Sequence, residues 1–177
     1  MLGFVFRFSK GLSDTALKTL YCTLVRQILE YGSPVWNPHQ KFLIEELESI
    51  QRRFLRMVGV RNGLPYRQVP IEEVSRDLGL QSLADRRFTA DVVLLSKILN
   101  GMIDCPDMLS QILFRTPSAT RSRDLFARQQ HRTNYAANDT MYRLQRSGNS
   151  VADVVDFFSD SIPVLKRRIA SLHELSV

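Results

Sequence analysis

Apolar residues recur at three- and four-residue steps through almost the whole chain, and no segment alternates apolar with polar over a strand's length. Such spacing lines the apolar side chains along one face of a helix and leaves no half-buried sheet to build. In the stretch 14–31 the repeating positions are Leu17, Leu20, Tyr21, Leu24, Val25, Ile28 and Leu29. Ser13 or Asp14 suits the N-cap, and Gly32-Ser33-Pro34 the stop. Gln27 stands where a proline would kink this helix, so it is expected to run straight. Residues 41–58 carry Leu43, Leu47, Ile50, Phe54 and Met57 as a narrow packing seam. Pro70 opens and Gly79 closes a short helix; Ser82 caps a longer one that turns Leu83, Phe88, Val92, Leu95 and Leu99 inward and stops at Gly101. Pro106 starts a short helix expected to reach Phe114, and further helices are expected over 139–146, 151–158 and 162–172. The fold class is therefore all-α: an irregular multi-helix bundle of about seven to eight helices with a basic, partly irregular segment at 115–137.

The 177 residues suffice for one domain with a real core, or for two small ones. The longest purely aliphatic run is Val92 to Leu95, far short of the roughly 20 residues of a membrane span. Arg7 and Lys10 interrupt the apolar N-terminus before a secretory core can form. Cys22 and Cys105 are too few for a disulfide framework and suit free thiols in a reducing compartment. His39, His131 and His173 are scattered, none at zinc-ligand spacing from a cysteine. No membrane partner, metal or cofactor is expected, and the location expected is intracellular, nuclear or cytoplasmic.

Charge is the informative part of the composition. There are 24 basic and 18 acidic residues, and arginine far outnumbers lysine. The guanidinium fork binds phosphate bidentately, which favours nucleic acid, although an Arg-rich background composition gives the same count. Within 41–58 the glutamates (45, 46, 48) precede the arginines (52, 53, 56). That order complements the helix dipole and offers a Glu48–Arg52 pair, an account that covers the glutamates better than it covers Arg52, Arg53 and Arg56 with Arg61 beyond. A second concentration lies in 114–146, where seven arginines meet two acids, with Phe114, Phe126, Tyr135 and Tyr142 interleaved. Arg121, Arg123, Arg128 and Arg132 suit phosphate contacts and the aromatics suit base stacking. The competing reading is a solvated loop whose rings tuck into the core. Trp36, between Pro34 and Pro38, either anchors a rigid extended connector, together with Tyr31, or offers a stacking surface.

No constellation for catalysis is legible. The acidic trio Asp153, Asp156 and Asp160 has the three- and four-residue steps of a solvated helix face, with Arg167 and Arg168 as charge partners. The eight glycines form no phosphate loop, and neither cysteine has a local histidine signature.

The run LKTLYCTLVRQILEYGSPVWNP (17–38) followed by IEELESIQRRFLRMV (44–58) resembles the segment after the polymerase palm in reverse transcriptases of non-LTR, LINE-type retrotransposons, the jockey-like group in particular. LGLQSLADRR (78–87), HRTNYAANDTMYRLQR (131–146) and DFF (156–158) resemble later segments of that family. Gln27 stands where the family usually has proline, and Ala136 where it has glycine. The resemblance implies a thumb-end helical pair (1–60), a helical linker unit (61–114) and a basic C-terminal helical region (115–177), read as one continuous domain. It also implies an upstream palm carrying the catalytic aspartates, which nothing in this chain matches.

The function expected is that of a non-catalytic, nucleic-acid-binding C-terminal fragment of an RNA-directed DNA polymerase. Its partners would be template–primer RNA and DNA, its contacts Arg52, Arg53, Arg56, Arg61, Arg121, Arg123, Arg128 and Arg132, and it would be no enzyme alone. The alternatives are a helical packing module that touches no nucleic acid, or a degenerate copy of such an element.

Overall fold

The structure, a computed structural model, describes residues 2–7, 10–116 and 124–174. The secondary structure is all-α: among the described residues only an isolated antiparallel bridge between Phe114 and Phe126 departs from helix and turn. Two compact units divide the chain, one of Met1–Ser33 and Asn37–Arg86, the other of Pro34–Trp36 and Arg87–Val177. The division falls inside a helix.

In the first unit, α1 (Leu2–Arg7) and α2 (Asp14–Leu20) precede a π-helical stretch (Tyr21–Arg26) that runs on into α3 (Gln27–Glu30). Ser13 caps α2, its Oγ accepting from the Ala16 amide at 3.2 Å. The π stretch corrects the expectation of a straight helix, and no proline is responsible. Leu17, Tyr21 and Val25 are all buried, and the wider winding keeps residues four apart on one face where an ordinary helix would let them drift. α4 (Ser33–Trp36) is a single turn entered through Gly32, whose φ of 62° few other residues adopt. Ser33 therefore joins a helical turn where an extended connector was expected. Tyr31 is 85% exposed and Trp36 41% exposed, so burial in a core is not what holds the connector.

α5 (Lys41–Arg61) packs on α6 (Ile71–Asp77), and its buried face is Gln51, Phe54, Leu55, Val58 and Gly59. The expected seam is thus only partly right: Phe54 is buried, while Leu43, Leu47, Ile50 and Met57 lie at its half-buried edge. Gln51 enters because its polar ends are both used. Its Oε1 accepts from the Tyr21 hydroxyl at 3.0 Å and its Nε2 donates to the Gln81 carbonyl at 2.8 Å. The Tyr21 ring stacks on Phe54 with centroids 4.3 Å apart and planes within 10°. Glu48 accepts from the Ala84 amide at 2.7 Å, at the start of α7 (Leu83–Leu99), while Arg52 donates to the Glu45 carbonyl; the expected Glu48–Arg52 pair gives way to this cap. Ser82 and Asp85 complete the α7 N-terminus reciprocally, and Gly79 and Gly101 lie in left-handed backbone beyond α6 and α7.

The second unit is built around α7 beyond Arg87, α10 (Thr140–Val151) and α11 (Ile162–Glu174), with α8 (Pro106–Ser110) and α9 (Asn134–Ala137) as short turns. Val92, Leu95, Ile98, Phe126, Leu144, Phe157, Leu165 and Ile169 form its core. Gly148 lets Phe126 in: a Cβ there would stand 2.6 Å from the Phe126 ring and 2.7 Å from Leu95. The helix expected over 151–158 is replaced by turns after α10. Asp156 is the reason. Its carboxylate accepts from the Ser159 hydroxyl at 2.6 Å and from the amides of Phe158 and Ser159, which also hold its pKa below the ordinary carboxylate value. Asp160 accepts from the Asp156 amide at 2.9 Å and pairs with Arg168 at 3.1 Å, so Asp156 and Asp160 organise a turn where a helix face was expected.

Burial holds the Tyr21 phenol well above its ordinary pKa of 10.0. Because the folded value is the higher one, its contribution to stability is complete below pH 10 and is lost as pH rises through the folded value. Tyr21→Phe is expected to cost ~1 kcal/mol at neutral pH, by orphaning Gln51, and to flatten the fall of the urea midpoint above about pH 10, measured by urea titration across that range.

Candidate nucleic-acid interface

An arginine serves a phosphate most readily where its charge is neither buried nor held by a carboxylate. In the first unit, α5 supplies the best case. Its core face is fixed by Gln51, Phe54, Leu55 and Val58, which turns Arg52 and Arg53 outward, and both are exposed. Arg53 has no ion-pair partner among the described residues, and Arg52 makes only a 3.3 Å contact to a backbone carbonyl. Arg56, half-buried, lies over the Tyr66 ring with 5.6 Å between guanidinium carbon and centroid, an arrangement that keeps its charge while fixing its direction. Arg61 is exposed but turned back on its own unit, donating to the Leu12 carbonyl. It also borders a shallow apolar cavity of about 210 Å³ beside Phe6, Met57 and Val60. Exposed Arg67 and Arg76 lie near this set in sequence, and sequence reasoning passed over both. What would have found them is the packing of α6 on α5, a contact that periodicity alone does not specify.

Elsewhere in the first unit a guanidinium is fully committed. Arg86 grips Glu30 through two bonds, its Nη2 donating to Oε2 at 2.9 Å, and this hydrogen bonding raises its pKa above the ordinary arginine value.

In the second unit the arginines of the basic stretch separate into distinct fates. Arg143 is inside: its Nε donates to Asp91 Oδ2 at 2.9 Å, both side chains are buried, and its remaining nitrogens reach the carbonyls of Pro34 and Asn138. Arg143 was not among the expected contacts, and it is withdrawn from solvent because Asp91, fifty-two residues earlier, supplies a buried counter-charge. Arg115 and Arg128 both approach Asp124, at 3.9 and 2.7 Å, although Arg128 stays 78% exposed along its side chain. Arg132 is exposed with no ion-pair partner among the described residues, and Tyr135, 85% exposed, follows it. Arg146 is exposed and donates to Asn138 Oδ1 at 3.1 Å. Arg121 and Arg123 lie outside the described residues. Of the interleaved aromatics, Phe126 belongs to the core, while Phe114 and Tyr135 are exposed.

The eight arginines expected at the site therefore divide. Among the described residues Arg52, Arg53 and Arg132 have no carboxylate partner, Arg56 lies over the Tyr66 ring, Arg61 donates to the Leu12 carbonyl, and Arg128 shares Asp124. Among the described residues, no three His, Cys, Asp or Glu side chains gather as a metal site, and no helix is long and apolar enough to cross a membrane. Comparison with protein-family models, curated proteins and solved structures finds no match to this chain.

The two classes of arginine differ in what their removal does to the fold. Arg143→Ala removes the guanidinium paired with a buried carboxylate and is expected to lower the unfolding free energy by ~3–5 kcal/mol. Arg53→Ala is expected to stay within about 0.5 kcal/mol, both measured by urea unfolding of the purified chain.

Proposed function

We propose that this chain is a non-catalytic helical module that grips the phosphate backbone of nucleic acid, as the thumb end and C-terminal helical region of a non-LTR retrotransposon reverse transcriptase would grip template–primer. The observation that carries the reading is the outward pair Arg52 and Arg53 on α5, exposed and without a carboxylate partner among the described residues, with Arg56 held beside them on Tyr66. Arg52 and Arg56 are one turn apart, so neighbouring phosphates of one strand are within joint reach. In the second unit Arg128 and Arg132 add charge, and exposed Tyr135 adds a ring on which a base can stack. Contacts of this kind read the backbone and leave base sequence unread, so affinity should vary little among sequences. The resemblance assigns catalysis to a palm preceding this region, and an RNA–DNA hybrid is the duplex such a module would meet.

A second reading, docking of the helices on that palm without nucleic-acid contact, draws on exposed Phe4 and Phe6 and the apolar cavity beside Met57 and Val60. One variant separates the two. Arg52→Gln with Arg53→Gln leaves the apolar surface untouched and is expected to weaken binding of an RNA–DNA hybrid about tenfold, equally for unrelated sequences, as measured by fluorescence anisotropy. Unchanged affinity removes α5 from the interface, whereas no binding of the hybrid by the unmodified chain leaves docking as the better account.

A further inference from the structure

The second unit contains a cavity of about 450 Å³ that the backbone grip does not need. Its construction begins with α10. Tyr142, Gln145, Arg146, Asn149 and Ser150 recur at three- and four-residue steps and so share one helix face. Asn149 uses its side-chain amide as a strand would use its backbone, accepting from the Phe126 amide at 2.8 Å and donating to the Phe126 carbonyl at 2.9 Å. Gln145 does the same one turn earlier, accepting from the Leu113 amide at 3.0 Å and donating to the Gln111 carbonyl at 3.2 Å. The two extended pieces held in this way also bond to each other, Arg115 N to Leu125 O at 2.9 Å and Ala127 N to Leu113 O at 2.7 Å. The floor is thus fixed by paired amides, and the walls are left to Asp124, Arg128, His131, Tyr142, Arg146 and Ser150.

The chemistry of those walls is uneven in a useful way. Two guanidiniums, Arg128 and Arg146, meet one carboxylate, Asp124, which also holds Arg115. An anion that takes Arg128 from Asp124 leaves that carboxylate a second cation, so the exchange is not costly. The rings of His131 and Tyr142 lie 3.9 Å apart between centroids, and His131 Nε2 is buried with no hydrogen-bond partner among the described residues. Charge for a phosphate, an aromatic wall for a base and a polar atom awaiting a partner are thus collected in a volume within the range of small-ligand pockets.

We propose that this cavity binds one nucleotide, its phosphate between Arg128 and Arg146 and its base against the Tyr142–His131 wall. The proposal deepens the backbone-grip reading, with which it shares Arg128, by adding a site for a single unpaired residue that α5 cannot supply. The nucleotide is either free in solution or one residue of a strand, and the chemistry recognised is the same. Base identity should matter little, because stacking accepts any base.

The test is an amide NMR titration of the full chain with uridine 5′-monophosphate, with inorganic phosphate and uridine run separately. The expected result is saturable movement of the 142–150 signals with the nucleotide, reached at concentrations at least tenfold below those phosphate requires. Tyr142→Leu keeps the apolar bulk and Arg146→Gln alters an exposed side chain; each is expected to weaken nucleotide binding at least fivefold while the remaining spectrum stays folded. Displacement by a short oligouridylate identifies a strand residue as the ligand, and failure of displacement identifies the free nucleotide. Arg52→Gln/Arg53→Gln should leave nucleotide binding unchanged, which separates the two sites. If the nucleotide moves no 142–150 signal while an oligonucleotide still binds, the cavity proposal fails and the grip stands. Equal potency of phosphate and nucleotide also overturns it, since the base then contributes nothing.

Discussion

A guanidinium cannot shed its charge inside a protein, so every arginine of this chain must either be paired where it is buried or remain in water. That constraint sorts the structure. Arg143 enters the second unit because Asp91 waits there at 2.9 Å, and in doing so it collects the Pro34 carbonyl and ties the 34–36 turn to α10. Arg86 closes on Glu30 and fixes the end of the first helical run. The arginines left over, on α5 and around 128–132, are the ones a polyanion can use. The division of labour follows from where carboxylates were placed rather than from where arginines are dense.

The same logic extends to neutral polar groups. Gln51, Gln145 and Asn149 are buried or half-buried amides, each facing partners that lie far away in sequence. Gln51 joins the Tyr21 hydroxyl to the Gln81 carbonyl, so the π-helical stretch, α5 and the loop before α7 are set by one side chain. Gln145 and Asn149 let a helix stand in for a sheet edge, which is how irregular backbone near 111–127 satisfies its hydrogen bonds within an all-α fold. Those are the amides that leave a shaped cavity beside them.

Much of the helical layout was legible from the sequence, since it rests on local signals. Ser13, Ser82, Gly79, Gly101 and Pro106 mark helix ends through capping and φ preferences that need no tertiary information. The misses have separate causes. The π winding of Tyr21–Arg26 answers to the stack on Phe54, the loss of the 151–158 helix to an Asp156 turn, and the exposure of Tyr31 and Trp36 to a one-turn helix after Gly32. On α5, Arg52 and Arg53 point outward because helix periodicity puts Gln51, Phe54, Leu55 and Val58 on the core face. The burial of Arg143 was not legible because its partner, Asp91, lies on another helix, and the cavity beside Tyr142 has no sequence signature at all.

The central claim is that unneutralised arginines on an all-helical scaffold hold nucleic-acid phosphates. It is tested most directly by the affinity of the intact chain for an RNA–DNA hybrid as salt is raised. Each phosphate engaged should contribute about −0.7 to −0.9 to the slope of log affinity against log salt, so a grip by Arg52, Arg53 and Arg56 predicts a slope of about −2 or steeper. A flat dependence, or no binding at low salt, contradicts the account.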